Sequence, residues 1–221
     1  MNITNNEKPV CEKKQLKLYG IVGSSSLKRV TDIGYAVEQA IKGGATIIQL
    51  REKNRSENEI IETAKLLINV CHRYNVPLII NDSIKIAYKC GADGVHLGLY
   101  DGDLLYARRV LGKNAIIGAT AHNLYEAQSA LAAGADYLGC GAVFGSTTKT
   151  NTVPLPIENL TEICRQIPLP IVAIGGINAE NAMKLKKTGI AGIAVVSALF
   201  GQENICASAM LLKNIVSQFE A

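Results

Sequence analysis

The sequence predicts an α/β protein closed into a (β/α)8 barrel, a TIM barrel. Three observations carry that expectation. Eight short runs rich in Ile, Val, Leu and Ala alternate with eight helix-like segments across 221 residues, joined by short connections. Right-handed βα crossovers turn that order into a parallel sheet, and eight units of this size fit a small closed barrel. GGATIIQL, CGADGVHLG, AGADYLGCG and TGIAGIAVV repeat one phrase: helix end, Gly, small residue, strand. Their aligned glycines, Gly44, Gly91, Gly134 and Gly189, recur at 43 to 55 residues, as stacked pairs of βα units would. No GxGxxG follows the first strand, so the doubly wound open sheet lacks its fingerprint.

Residues 1–15 form a polar N-terminal arm, and 16–221 one barrel domain. Leu16 to Val22 is the first strand, followed by the loop GSSS. Asp32 caps a helix with Ala36, Val37, Ala40 and Ile41 on one face, closed by Gly43-Gly44. Ala45 to Leu50 is strand two. Ser56 and Glu59 have capping-box spacing, ahead of a stripe of Ile60, Ala64, Leu67 and Cys71. PLIIN is strand three, and Asp82 or Ser83 caps a short helix ending at Gly91. DGVHLG is strand four, and a helix runs from Asp103 to Leu111. AIIGAT is strand five, and Asn123 with Glu126 repeats the capping-box pattern. DYLGCGAVF is strand six, followed by a polar loop from Gly145 to Val153. Pro156 suits a first helical turn. PIVAIGG is strand seven, and Asn178 caps a helix closed by Gly189. AGIAVVS is strand eight, before a last helix carrying Ile205, Leu212, Val216 and Phe219.

The composition excludes several classes. The formal charge is +4, but four lysines stand against two glutamates in the first 17 residues, and no basic stripe carries interleaved aromatics. Nucleic acid is therefore not an expected partner. The six cysteines are scattered without a CxxC pair, which argues against a disulfide framework or zinc site and suits a reducing cytoplasm. The N-terminus lacks the apolar region of a signal peptide, and no apolar run reaches a spanning length, so no membrane partner is expected.

In such a barrel, chemistry sits at the C-terminal strand ends. Gln49, Arg51 and Lys53 stand two apart and share a face of an extended segment. They are either a solvated strand end, with Glu52 or Glu57 as partner, or they meet an anion. Asn81 and Asp82 end strand three. His96 lies inside strand four, with Asp101 in its loop. Thr120 and His122 end strand five, and Ser146, Thr147, Thr148 and Lys149 follow strand six. Gly175-Gly176 and Val196-Ser197 end strands seven and eight, where backbone N–H groups make a phosphate site in this architecture. Arg51, Lys53 and Lys149 with Asp82 and Asp101 are the groups a diphosphate with Mg²⁺ would need. His72 and His96 read as packed structural residues, while His122 can reach the mouth. No Ser/His/Asp or Cys/His arrangement stands out, so the site suits electrostatic stabilisation rather than a protein nucleophile.

QLREK, NDS, GVHLG, GATAHN, STTKTN, IVAIGGI and VVSA occur in the order of the thiamine phosphate synthase family, which this chain resembles over residues 16–200. The resemblance implies a magnesium-dependent transferase that couples a hydroxymethylpyrimidine diphosphate to a thiazole phosphate. It implies that Gln49, Leu50, Arg51, Glu52, Lys53, Asn81, Thr120 and Lys149 bind the pyrimidine diphosphate. Arg51, Lys53 and Lys149 would stabilise the departing diphosphate. Ser146, Thr147, Thr148, Gly176, Val196 and Ser197 would hold the thiazole phosphate, and Asp82 and Asp101 one Mg²⁺. Leu99-Tyr100 depart from the family's usual Gln and acidic residue before the metal Asp. Thr120 replaces a usual Ser. Ser146 stands at the first of two Thr positions, with Gly145 for a usual Pro. A thiazole tautomerase of the same barrel type, using His122, and a non-catalytic phosphate-binding barrel are the alternatives. A homo-oligomer is compatible with all three.

Overall fold

The computed structural model describes residues 11–27, 32–145 and 153–220. Eight parallel strands pair in sequence order and close: β1 (Leu18–Val22), β2 (Ile47–Leu50), β3 (Leu78–Asn81), β4 (Gly94–Leu97), β5 (Ile116–Ala121), β6 (Tyr137–Cys140), β7 (Ile171–Ile174) and β8 (Gly192–Val195). The helices are α1 (Ile33–Lys42), α2 (Glu57–His72), α3 (Ile84–Cys90), α4 (Leu104–Leu111), α5 (Leu124–Ala132), α6 (Ile157–Gln166), α7 (Ser197–Phe200) and α8 (Ile205–Ser217). The (β/α)8 expectation stands.

Successive strand residues point to opposite faces, and this divides the core in two. Outward residues such as Leu18, Ile48, Leu78, Val95, Ile117 and Leu138 pack under the helices. Tyr19, Ile47, Ile79, Ile116, Tyr137 and Val172 fill the barrel interior. Cys11 and Leu16 join that inner cluster. Residues 11–15, expected within the polar arm, therefore belong to the packed body: they place Cys11 and the turn Lys13–Leu16 against the bottom of the barrel. Residues 1–10 lie outside the described part.

The caps follow the sequence where the side chain has one task. Asp32 accepts from the Gly34 and Tyr35 N–H groups, and Ser56 and Glu59 form a reciprocal capping box. Ser83, not Asp82, caps α3, accepting from Ile86 N. The repeated GAD phrase has a structural cause. Asp93 accepts from Leu78 N and pairs with His72, and Asp136 accepts from Ile117 N and pairs with Arg108. Each aspartate ties its own strand to the start of the preceding one. His72 is structural, as expected.

Two expectations need correction. No α-helix follows β7: the connection holds only a 3-10 turn, Ala182–Leu185, and the extra helix α7 follows β8. Asn178 does not cap a helix, because its carboxamide oxygen accepts from Glu180 N and Asn181 N in a local turn. Strand six ends at Cys140 rather than Phe144. Past Cys140 the regular ladder ends, although Val143 N and Phe144 N still donate to Ile174 O and Gly175 O at the end of β7.

Candidate active site

All eight strands contribute to one cavity of about 170 Å³ at their C-terminal ends. Arg51, Asn81, Asp82, Thr120, Gly176, Val196 and Ser197 all line it, as does His122. The loop 146–152, with Ser146, Thr147, Thr148 and Lys149, lies outside the described residues. Its flanks are held together, with Ala142 N donating to Val153 O and Leu155 N to Ala142 O. Ala142, in these flanks, lines the cavity and packs against Gly175.

The run TIIQLREK divides by position. Gln49 faces inward and is buried, its Nε2 donating to Tyr19 Oη at 2.8 Å. Leu50 faces the opposite way into the outer core, so its side chain is a packing group. Strand pairing carries on to Arg51, whose N–H donates to Val22 O, and its side chain lines the cavity. Lys53 is exposed and lies outside the described cavity wall. Glu52, expected in the diphosphate set, is committed elsewhere. Its carboxylate accepts from both Ser24 N (2.7 Å) and Ser24 Oγ (2.6 Å). It ties the turn after β1 to the turn after β2.

The carboxylates stand on adjacent strand ends. Asp82 lines the cavity with φ of 65°, a left-handed backbone that is uncommon outside glycine. Such outliers concentrate at functional positions. Because Ser83 supplies the helix cap, capping does not account for Asp82. Asp101 is exposed, and its Oδ2 accepts from Gly98 N at 2.9 Å. Among the described residues no three His, Cys, Asp or Glu side chains gather as a metal-binding group. Two hard carboxylates open to solvent nevertheless match Mg²⁺, which takes one or two carboxylates and fills its shell with water and phosphate oxygens.

Sequence reasoning missed the polar chain inside the barrel. Gln49 donates to Tyr19, Tyr19 Oη lies 2.8 Å from Tyr137 Oη, His96 Nδ1 lies 3.0 Å from Tyr137 Oη, and His96 Nε2 lies 3.1 Å from Thr120 Oγ1. His96 is thus packed and hydrogen-bonded, as expected. The signal was present: Tyr19 and Tyr137 occupy inward strand positions, and glycines stand at inward positions nearby. Burial pushes both tyrosine hydroxyls well above their ordinary value. His122 also has a partner: its backbone N–H donates to Glu126 Oε2 and its Nδ1 lies 2.9 Å from the same oxygen. Partial burial works against the Glu126 charge, but the His122 hydrogen bonds and charge outweigh it and hold the carboxyl below its ordinary value.

Residues 18–199 match the family model described as thiamine monophosphate synthase. The chain belongs to this family. It is 46% identical over 195 residues to the thiamine-phosphate synthase of Ruminiclostridium cellulolyticum, covering 88% of this chain and 93% of that one. It is 43% identical over 208 residues to that of Persephonella marina, covering 94% and 99%. The solved thiamine phosphate pyrophosphorylase of Pyrococcus furiosus superposes with a TM-score of 0.86 at 37% identity, covering 95% of this chain and 99% of that one. A 3-hexulose-6-phosphate synthase at 17% identity and TM-score 0.63 shares the fold alone.

Within the thiamine monophosphate synthase family, the departure at Leu99-Tyr100 has a simple geometry here. Both residues sit on the outside of a tight turn, 46% and 97% exposed. Asp101 N donates to Gly98 O and Asp101 Oδ2 accepts from Gly98 N, closing the turn. The two replaced side chains do not come between Asp101 and β4.

Proposed function

We propose that the chain couples 4-amino-2-methyl-5-(diphosphooxymethyl)pyrimidine to thiazole phosphate, giving thiamine phosphate and diphosphate. The observation that carries this is membership of the family across residues 18–199, joined to the polar lining of a single cavity. In this reading Gln49, Arg51, Asn81 and Thr120 hold the pyrimidine diphosphate, with Lys53 and Lys149 at the mouth. Asp82 and Asp101 hold one Mg²⁺, which neutralises diphosphate charge when bound. Gly176, Val196, Ser197 and residues 146–148 hold the thiazole phosphate.

The chain's own work is electrostatic. The C–O bond to diphosphate breaks and leaves a pyrimidine methyl cation, which the thiazole nitrogen captures with its lone pair. Arg51, Lys53 and Lys149 stabilise the charge on the departing group. The apolar lining from Ile21, Val172, Ile174 and Ala194 keeps water from the cation. No side chain needs to form a bond.

The test is incubation with both substrates and Mg²⁺, reading thiamine phosphate and diphosphate. Absence of product at saturating substrate overturns the proposal. The His122–Glu126 pair favours one second reading, a thiazole tautomerase, because a carboxylate-oriented imidazole in the cavity can move a proton. Tautomerisation without coupling, lost in His122→Ala, would select it. A cytoplasmic location is part of this reading, supported by six scattered cysteines without a CxxC pair; separately, no helix among the described residues is long and apolar enough to cross a membrane.

A further inference from the structure

We propose that Tyr19, Tyr137 and His96 form a directional hydrogen-bond relay that locks Gln49 and Thr120 into one donor–acceptor pattern, selecting an aminopyrimidine over its oxo counterpart. The proposal rests on the reading that the pyrimidine binds in this cavity.

The relay crosses the barrel. Its five members come from β2, β1, β6, β4 and β5, joined by four hydrogen bonds of 2.8 to 3.1 Å. Tyr19 is 2% exposed, Tyr137 0% and Gln49 3%. The interior is shaped around it. A Cβ at Gly118 would overlap the Tyr137 ring, and one at Gly139 would stand 3.0 Å from His96 Cε1. All five members line the cavity.

Counting protons sets the direction. An amide nitrogen only donates, so Tyr19 Oη accepts from Gln49 and gives its single proton to Tyr137. Tyr137 then donates to His96 Nδ1, which must be bare. A neutral imidazole with a bare Nδ1 carries its proton on Nε2 and donates it to Thr120 Oγ1. Burial keeps both tyrosines protonated, so each has a proton to pass on. The opposite direction makes Tyr19 accept twice and strands its own proton in the core. Among the described residues, the hydrogen-bond partners of that hydroxyl are Gln49 and Tyr137.

The two ends therefore offer a defined pattern. Gln49 has its carboxamide oxygen and its second N–H left, an acceptor beside a donor. An amide in that state meets a ring amino group beside a ring nitrogen with two hydrogen bonds, as it does on adenine. Thr120 has its own proton left to donate to a ring nitrogen. An oxo ring presents the reverse pattern at its edge. To accept it, Gln49 must turn its amide over, and the proton order must then reverse through Tyr19, Tyr137 and His96 to Thr120. One wrong group at one end disturbs both ends. A site built this way rejects a mismatched analogue strongly, because buried polar groups are left unpaired.

Two measurements test this. The first needs no substrate. ¹⁵N NMR of histidine-labelled protein reads the tautomer of each of the three histidines. We expect His96 to carry its proton on Nε2 in the native protein and to lose that preference in Tyr137→Phe. A proton fixed on Nδ1, or an unchanged tautomer in the variant, overturns the relay whatever the protein's activity. The second compares kcat/KM for the amino substrate and its 4-oxo analogue. In Tyr137→Phe the ratio falls by at least about tenfold, the size of one mispaired buried hydrogen bond, with the loss mainly in KM. Adding Thr120→Ala to Tyr137→Phe then costs little further selectivity, whereas in the native background it costs as much as Tyr137→Phe. An unchanged ratio in a folded Tyr137→Phe overturns the proposal, and Tyr19→Phe repeats the test should that variant fold poorly. Failure of the native protein to form thiamine phosphate would instead sink the functional reading and leave the tautomer result standing.

Discussion

The two ends of this barrel use aspartate in opposite ways. At the bottom, Asp93 and Asp136 are spent on structure: each accepts a backbone N–H from the neighbouring strand and pairs with His72 or Arg108. At the top, Asp82 and Asp101 stand on adjacent strand ends and are exposed, one of them in a left-handed backbone conformation. The bottom pair follows a rule visible in sequence, GAD before a strand. The top pair follows none of the local rules for caps or turns at Asp82. What separates the two pairs is placement: the bottom aspartates tie neighbouring strand starts together, while Asp82 and Asp101 stand exposed at the strand ends where this architecture carries its chemistry.

The comparison can be broken in order of expected effect. Asp82→Asn keeps a residue tolerant of the left-handed backbone and removes the charge. Turnover should fall by about two orders of magnitude, roughly 3 kcal/mol of transition-state stabilisation, with little change in unfolding midpoint. Steady-state kinetics and a thermal melt check both halves. Asp136→Ala should do the reverse. It strands Ile117 N–H and Arg108 and should cost about 2 kcal/mol, a few degrees of midpoint for a chain of this size, with activity per folded molecule retained.

A pH series sharpens the same contrast. Burial pushes the Cys11 and Cys71 thiols up to about 12 from 9.0, with nearby acidic groups adding to it, and pushes Tyr19 and Tyr137 up as well. The fold favours their neutral forms. Their contribution to stability is complete below pH 9 and is lost as pH rises, because the unfolded chain ionises first. Each such group adds a slope of about 1.4 kcal/mol per pH unit. Denaturant midpoints from pH 8 to 10.5 should fall steadily; a flat profile would mean these groups are not buried in solution. The smallest effect belongs to Glu52→Ala. Its bonds to Ser24 are exposed, so stability should shift by no more than about 0.5 kcal/mol, while KM for the pyrimidine rises as the segment that follows Arg51 loosens.

Much of the fold was legible because buried parallel strands read as continuous apolar runs and glycines mark where helices end. Ser56, Asp32 and Asn123 were readable as caps for the same local reason. The failures share a different cause. The run DYLGCGAVF stays apolar past Cys140, and nothing in its pattern records that the regular ladder to β7 stops there. Asn178 looks like a cap, but its oxygen is consumed by Glu180 and Asn181. Gln49, Arg51 and Lys53 looked equivalent by spacing. The strand ends at Leu50, so the alternation holds for Gln49 and Arg51 and gives out before Lys53. The interior relay depends on residues from five strands meeting across the barrel, which no spacing along the chain encodes.

The most direct test of this division between the two ends sets Asp82→Asn and Asp136→Ala side by side, with turnover per folded molecule and unfolding midpoint measured on both. The expected result is a crossed pattern: turnover lost and midpoint kept in the first, midpoint lowered and turnover kept in the second. Equal losses of both quantities in the two variants would contradict it.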